Sequence, residues 1–137
     1  MPGCRILLVD DHADTLSVMS RLLRGAGHEV SVAETASMAL ERLRTQAFDL
    51  LLIDLGLPDQ DGRDLLRSAR AFSMAPAIAL TGFGMDGDVE SCNAAGFAKH
   101  LVKPIAFNVL LTALDDLRPM IPAEADQGSG ASQFPKA

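Results

Sequence analysis

The chain has two cysteines among its 137 residues and no tryptophan or tyrosine. Cys4 and Cys92 stand far apart, with no Cys-x-x-Cys spacing and no histidine-rich surroundings. That leaves no zinc site or disulfide framework to expect, and Cys92 reads as a core thiol. Also missing is any apolar run approaching the roughly 20 residues that cross a bilayer. The start, Met1-Pro2-Gly3-Cys4-Arg5, leads straight into a strand-like segment rather than a signal peptide. The expectation is a protein without membrane insertion that works in the cytoplasm. Positive charge is scarce as well: 12 Lys and Arg face 18 Asp and Glu, for a net charge of -6, and no basic cluster reverses the sign locally. Nucleic acid therefore finds no electrostatic footing on this chain.

What is present is apolar residue, 48% of the chain, enough for one substantial core at this length. It is organised as short apolar runs alternating with segments of helical period, the pattern of parallel strands joined by crossover helices. The strand candidates are Arg5 to Val9, Glu29 to Ala33, Leu50 to Ile53, Ala77 to Leu80 and His100 to Val102. Most are apolar at every position, which suits a sheet covered on both faces. The predicted class is α/β, a doubly wound parallel sheet of five strands. Between the strands, Leu16, Met19 and Leu23 share a helical face, as do Ala36, Ala39, Leu40 and Leu43. Leu65, Leu66 and Ala69 give a third helix, Val89 and Cys92 a weak fourth, and Phe107, Leu110, Leu111 and Leu114 a fifth. Gly25, Gly27 and Gly96 fall where helices should stop, suiting left-handed C-caps. From Pro119 the composition turns to Pro, Ala, Gly, Ser and Gln without apolar period. Residues 5–117 are thus the expected domain, and 118–137 a flexible tail.

In an open parallel sheet, ligand sites gather beyond the carboxyl ends of the strands. There the first run ends in Asp10-Asp11, the third in Asp54, the fourth in Thr81 and the fifth in Lys103-Pro104. Taken singly, the acidic pair reads as loop or capping residues, and Thr81 and Lys103 as strand-end and loop residues. Asp54 is harder to dismiss, because a charge interrupting Leu50-Leu51-Leu52-Ile53 is costly unless it has a use. Clustered carboxylates repel one another unless a cation lies among them, and oxygen ligands favour Mg2+. Asp10, Asp11 and Asp54 are the predicted cage. A carboxylate beside such a cation is a nucleophile toward phosphorus, which makes Asp54 the candidate phosphoacceptor. Lys103 and the Thr81 hydroxyl would then hold the phosphoryl oxygens.

These residues resemble the receiver domain of bacterial two-component response regulators, over about Arg5 to Leu117. The matching pieces are Leu7-Leu8-Val9-Asp10-Asp11, the stretch Asp49 to Pro58 around Asp54, Ala79-Leu80-Thr81-Gly82 and Leu101-Val102-Lys103-Pro104. The resemblance implies a flavodoxin-like (βα)5 fold with strand order 2-1-3-4-5. It implies Asp10 and Asp11 as the acidic pair for Mg2+, Asp54 as phosphoacceptor, the Gly56 carbonyl as a further metal ligand, Thr81 as switch hydroxyl and Lys103 as phosphate partner. A cis peptide at Pro104 is also implied. His100 departs from the family, which commonly has Tyr or Phe three positions before this lysine. An imidazole there can still turn toward Thr81, and it brings a group that titrates near neutrality. His12 matches no metal ligand of the family and reads as loop.

The stretches around Thr81-Gly82-Phe83-Gly84 and Ala95 to Pro104 look most like receivers at the C-terminal end of hybrid sensor histidine kinases, a texture free-standing receivers share. The implied role is a signalling switch rather than an enzyme, catalysing only its own phosphorylation, with autodephosphorylation as a further option. If fused natively, it would be part of a histidine kinase. The implied partner is a sensor histidine kinase or a histidine phosphotransfer protein, and homodimerisation stays open. The predicted docking patch is Val18 and Leu22, four apart and off the core stripe of the first helix, although an extended core stripe accounts for Leu22 equally well. A phosphohydrolase of the haloacid-dehalogenase type is the enzymatic alternative, but it needs a second Asp two residues past the nucleophile, where Gly56 stands. A flavin-binding module is disfavoured by the lack of a Ser/Thr-rich phosphate loop and of Trp and Tyr. A degenerate receiver acting as a scaffold is disfavoured by the complete set of Asp10, Asp11, Asp54, Thr81 and Lys103.

Overall fold

The computed structural model describes residues 3–82 and 94–117. Along them run β1 (Arg5–Val9), α1 (Ala13–Gly25), β2 (Glu29–Ala33), α2 (Ala36–Thr45), β3 (Leu50–Asp54), α3 (Gly62–Ala69), β4 (Ala77–Thr81), β5 (Lys99–Val102) and α4 (Phe107–Leu117). The strands form one parallel sheet in the order β2-β1-β3-β4-β5, so the expected α/β flavodoxin-like topology is present. The segment around Val89 and Cys92 and the tail 118–137 lie outside the described residues.

Alternation along the strands feeds two separate cores, because successive strand residues point to opposite faces. Leu7, Val9, Leu51, Ile53, Ala77 and Ala79 pack with Ala36, Ala39 and Leu43 of α2 and Leu65, Leu66 and Ala69 of α3. Ile6, Leu8, Leu50, Leu52, Ile78 and Leu80 pack on the other face with Leu16, Met19 and Leu23 of α1 and Leu110 and Leu114 of α4. This explains why the central strands read as apolar throughout: both of their faces are covered. The edge strands β2 and β5 are only partly buried and admit Ser31, Lys99 and His100.

At the amino end of the sheet, Asp49 is buried and accepts three hydrogen bonds from Arg5, from the backbone N at 2.8 Å, Nε at 3.2 Å and a terminal nitrogen at 3.0 Å. This pins β1 to the entry of β3.

Two local expectations need correction. Gly25 is not a left-handed cap but the last residue of α1. The helix continues through it, and the reversal falls at Gly27, φ 100°, where the Gly27 N–H bonds to the Arg24 carbonyl and the His28 N–H to the Leu23 carbonyl. Leu40 is half-buried against the core rather than in it. Gly96 does adopt the left-handed conformation, φ 107°. No helix among the described residues is long and apolar enough to cross a membrane.

Candidate functional site

The chain leaves β1 toward one edge of the sheet and β3 toward the other, so a crevice opens between their carboxyl ends. Asp10 follows β1 there, fully enclosed, and Asp54 is the buried last residue of β3. The strands run one residue further than the apolar pattern suggested: Asp54 and Thr81 belong to β3 and β4, and Lys99 opens β5. Strand geometry therefore holds both side chains. The cis peptide Lys103–Pro104 and the 2.7 Å bond from the Lys103 N–H to the Thr81 carbonyl set the backbone of Lys103 beside β4.

Lys103 closes the centre. Its Nζ lies 2.5 Å from Asp10 Oδ2 and 3.2 Å from Asp54 Oδ2. Asp54 Oδ1 accepts the Gly56 N–H at 3.0 Å. Burial pushes the Asp54 carboxyl above its ordinary pKa; the Gly56 N–H opposes this, the Asp10 charge adds to it, and Lys103 opposes it. Burial alone would lower Lys103, but the close contact and charge of Asp10, followed by those of Asp54, outweigh it and hold the ammonium above its ordinary value. The ammonium is thus a fixed positive charge held against two buried carboxylates.

Asp11 is exposed at the rim, and His12 joins the pair. The His12 Nδ1 lies 3.0 Å from Asp10 Oδ1 and 3.3 Å from Asp11 Oδ1, while its backbone N–H donates to Asp10 Oδ1 at 2.8 Å. His12 is a loop residue as expected, but its side chain contacts both carboxylates. It is the N-cap of α1, and the tight strand-to-helix turn folds the imidazole back over the acidic pair. Its adjacency to Asp10-Asp11 was the signal available in the sequence.

The residues fit a hard divalent cation. One ligand atom each from Asp10, Asp11, His12 and Asp54 lies within 4.8 Å of all the others. Asp10 Oδ2 is enclosed, and its one close polar neighbour among the described residues is the Lys103 ammonium, an ion-pair contact. A buried carboxylate oxygen in such an oxygen-rich cluster suits a hard ion such as Mg2+.

Thr81 is buried on the same edge, and its hydroxyl donates to the Leu101 carbonyl at 3.4 Å. His100 pairs with Ala79 and Val102 with Thr81, so His100 stands on the same face of the sheet as Thr81, two positions back. The half-buried residue borders a shallow cavity between β5 and α4, together with Asn108, Thr112 and Asp116. Val18 and Leu22 are not brought into the site. They stand on the outer face of α1, 52% and 40% exposed, which removes Leu22 from the core stripe.

Gly62 locks the loop under Asp54. A Cβ at this position would lie 2.5 Å from the Asp54 carbonyl oxygen and 2.8 Å from Leu55 Cα, so only glycine lets α3 start so close to the end of β3. The sequence reading missed this residue, although an Asp-Gly pair at a helix start was the available sign.

Residues 6–115 match the response regulator receiver domain family. The chain belongs to that family. Among curated relatives, this receiver domain is 33% identical over 113 residues to the transcriptional regulatory protein ZraR of Klebsiella oxytoca, an alignment covering 81% of this chain and 25% of ZraR. It is 30% identical over 118 residues to the sensory/regulatory protein RpfC of Xanthomonas campestris pv. campestris, covering 82% of this chain and 16% of RpfC. The chain thus spans a quarter or less of the length of these relatives. Among solved structures, the CheY-like receiver domain protein of Methanospirillum hungatei is 30% identical with a TM-score of 0.77, covering 85% of this chain and 93% of that one. The chain is accordingly a response-regulator receiver domain of two-component signalling, built as five parallel strands in the order 2-1-3-4-5.

Proposed function

We propose that this receiver domain accepts a phosphoryl group on Asp54 from a phosphohistidine, carried by a sensor histidine kinase or a histidine phosphotransfer protein, and that the aspartyl phosphate switches its contacts with partners. The observation that carries the reading is the geometry at Asp54, a buried strand-end carboxylate with Lys103 Nζ 3.2 Å away and Asp10 alongside. Asp10, Asp11, Asp54 and the Gly56 carbonyl are the proposed holders of Mg2+. When bound, Mg2+ would supply charge neutralisation for the carboxylates and the incoming phosphoryl group.

In the proposed transfer, an Asp54 carboxylate oxygen forms the new bond to phosphorus. The phosphorus–nitrogen bond to the donor imidazole breaks, and its electron pair stays on the ring nitrogen. Lys103 moves its ammonium from the Asp54 carboxylate to a phosphoryl oxygen. Phosphorylation adds about -1.5 to -2 charge at pH 7. That charge draws the Thr81 hydroxyl from the Leu101 carbonyl toward the phosphoryl group, which frees His100 to turn inward on the same face and alters β5 and α4. Charge-assisted hydrogen bonds of this kind are worth roughly 1.5–3 kcal/mol each, enough to bias a two-state arrangement.

The donor is proposed to dock on Val18 and Leu22. Their exposure supports this, as does the cavity of about 430 Å³ that joins Val18 to Lys103, Pro104 and Ile105 and so to the active edge. Val18→Lys is expected to slow transfer from a protein donor while leaving phosphorylation by acetyl phosphate intact; equal loss of both would refute the patch. The proposed compartment is the cytoplasm.

The deciding experiment is intact mass after incubation with acetyl phosphate, with and without Mg2+, on the wild type and Asp54→Asn. A single phosphoryl adduct that needs Mg2+ and is absent in the variant supports the reading. No adduct on the folded wild type, together with no binding of beryllium fluoride, overturns it in favour of a binding scaffold.

A further inference from the structure

A helix start leaves its first N–H groups without intrahelical partners. At α2 these groups are taken by two side chains of different origin. Thr35, the N-cap, accepts the Met38 N–H on Oγ1 at 3.1 Å, a local contact. The Ala36 and Ser37 N–H groups are taken by Asp59, whose Oδ1 and Oδ2 accept them at 2.9 and 3.0 Å. Asp59 is no neighbour in sequence; it sits in the loop between β3 and α3, past Asp54 and Gly56. The Ala36 N–H above all, with that of Ser37, holds its carboxyl below the ordinary aspartate pKa, so the clasp is made by a carboxylate at the positive end of a helix.

The two bodies joined in this way differ in what fixes them. α2 is anchored by Ala36, Ala39 and Leu43, all buried in the core. The loop carries Gly56, whose N–H holds Asp54 Oδ1. Its other ties hold its two ends: Gly56 bridges to Asp61, the Gly62 N–H bonds to the Leu55 carbonyl, the Leu55 N–H reaches the Leu80 carbonyl of β4, and Leu57 is buried in the core. The Asp59 clasp fixes the loop sideways, to an element that is not part of the site.

We infer that Asp59 is a positioning residue: by clasping the amino end of α2 it fixes the β3–α3 loop, and with it Gly56, against Asp54 and the cation ligands. The inference rests on the phosphoacceptor reading above. Thr35 supplies the control, because it caps the same helix end without touching the loop. A purely structural role for Asp59 predicts that losing either cap has the same kind of effect.

The test is made on the full chain, with Mg2+ affinity measured by titration calorimetry and melting temperature alongside, for the wild type, Asp59→Ala, Asp59→Asn and Thr35→Ala. Both alanine variants are expected to melt lower than the wild type. Loss of outer groups that orient a ligand costs about 10- to 100-fold in metal affinity, and for a tie acting through a loop the lower end, about tenfold, is expected of Asp59→Ala. Thr35→Ala should bind Mg2+ within about twofold of wild type, and Asp59→Asn, which keeps one acceptor oxygen, should fall between the two alanine variants. Wild-type affinity in Asp59→Ala, or an equal loss in Thr35→Ala, overturns the inference. If Asp59→Ala does not fold, Asp59→Asn decides: weaker binding with Thr35→Ala unchanged supports the inference, and unchanged binding overturns it. A wild type that binds no Mg2+ overturns the phosphoacceptor reading and this inference with it, whereas normal wild-type binding with parallel losses in the two cap variants overturns this inference alone.

Discussion

Asp54→Asn is expected to raise the melting temperature of the metal-free protein at pH 7, although it removes the central residue of the site. Asp54 shares its surroundings with the carboxylates of Asp10 and Asp11, all offering ligand atoms within 4.8 Å of one another, while Lys103 Nζ stands 3.2 Å away. At an effective dielectric of about 20, each repulsion is worth about 3 kcal/mol and the attraction about 5 kcal/mol, which leaves roughly 1–2 kcal/mol of net repulsion. Asp11 is exposed, so screening trims its share, while desolvation of the buried carboxylate adds to the cost. Asparagine keeps one acceptor, for either Gly56 or Lys103, and loss of the other costs about 1 kcal/mol. The net gain is about 1 kcal/mol, or about 4 °C for a domain of this size.

The pH dependence follows from the direction of the shift. Because the folded pKa of Asp54 is raised, the folded state holds its proton more tightly than the unfolded state. Wild-type stability is therefore lost as pH rises from the ordinary aspartate range through the raised folded value, and the penalty is complete above it. The advantage of Asp54→Asn should be largest at neutral pH and fade toward acid. Saturating Mg2+ should reverse the order, since an ion at 100 times its Kd stabilises the wild type by about 2.7 kcal/mol. Thermal melts across pH, with and without Mg2+, read all three effects. A variant no more stable than wild type at pH 7, or a gain that persists undiminished in acid, would refute the reasoning.

Lys103→Met leaves Asp10 and Asp54 without their counter-charge and should destabilise the metal-free fold at pH 7 by about 2–3 kcal/mol in urea unfolding, with Mg2+ restoring most of it. Since the folded pKa of Lys103 is raised, its contribution persists through neutral pH and is lost only as pH climbs past that value, where wild type and variant should converge. Asp49→Ala removes three hydrogen bonds from Arg5 but leaves a half-exposed guanidinium, so a loss of about 1–3 kcal/mol is expected, with acetyl-phosphate labelling unaffected. Gly62→Ala forces a Cβ against the backbone of Asp54 and Leu55 and should cost about 1–3 kcal/mol together with Mg2+ affinity, both read on the same titrated sample.

Periodicity in the sequence was sufficient for the class of fold and for the placement of Asp10, Asp54, Thr81 and Lys103 at strand ends, because a strand buried on both faces must be apolar and must stop where a charge begins. The same logic set Val18 off the stripe of Leu16, Met19 and Leu23 but left Leu22 open between docking patch and extended core, and only its exposure in the folded chain takes it out of the core. What it could not carry was anything fixed by contacts between segments. The His12 imidazole over the acidic pair depends on how tightly the chain turns from β1 into α1. The Asp59 clasp on α2 joins residues 23 positions apart, and no local pattern marks an acceptor that serves a distant helix. Gly62 is obligatory only because α3 begins against the backbone of β3. Residue order is enough to bring these chemical groups to one edge of the sheet; their spacing, their burial and the charge balance around Asp54 arise only on folding, since those depend on how neighbouring strands and loops pack and not on the order of residues within any one of them.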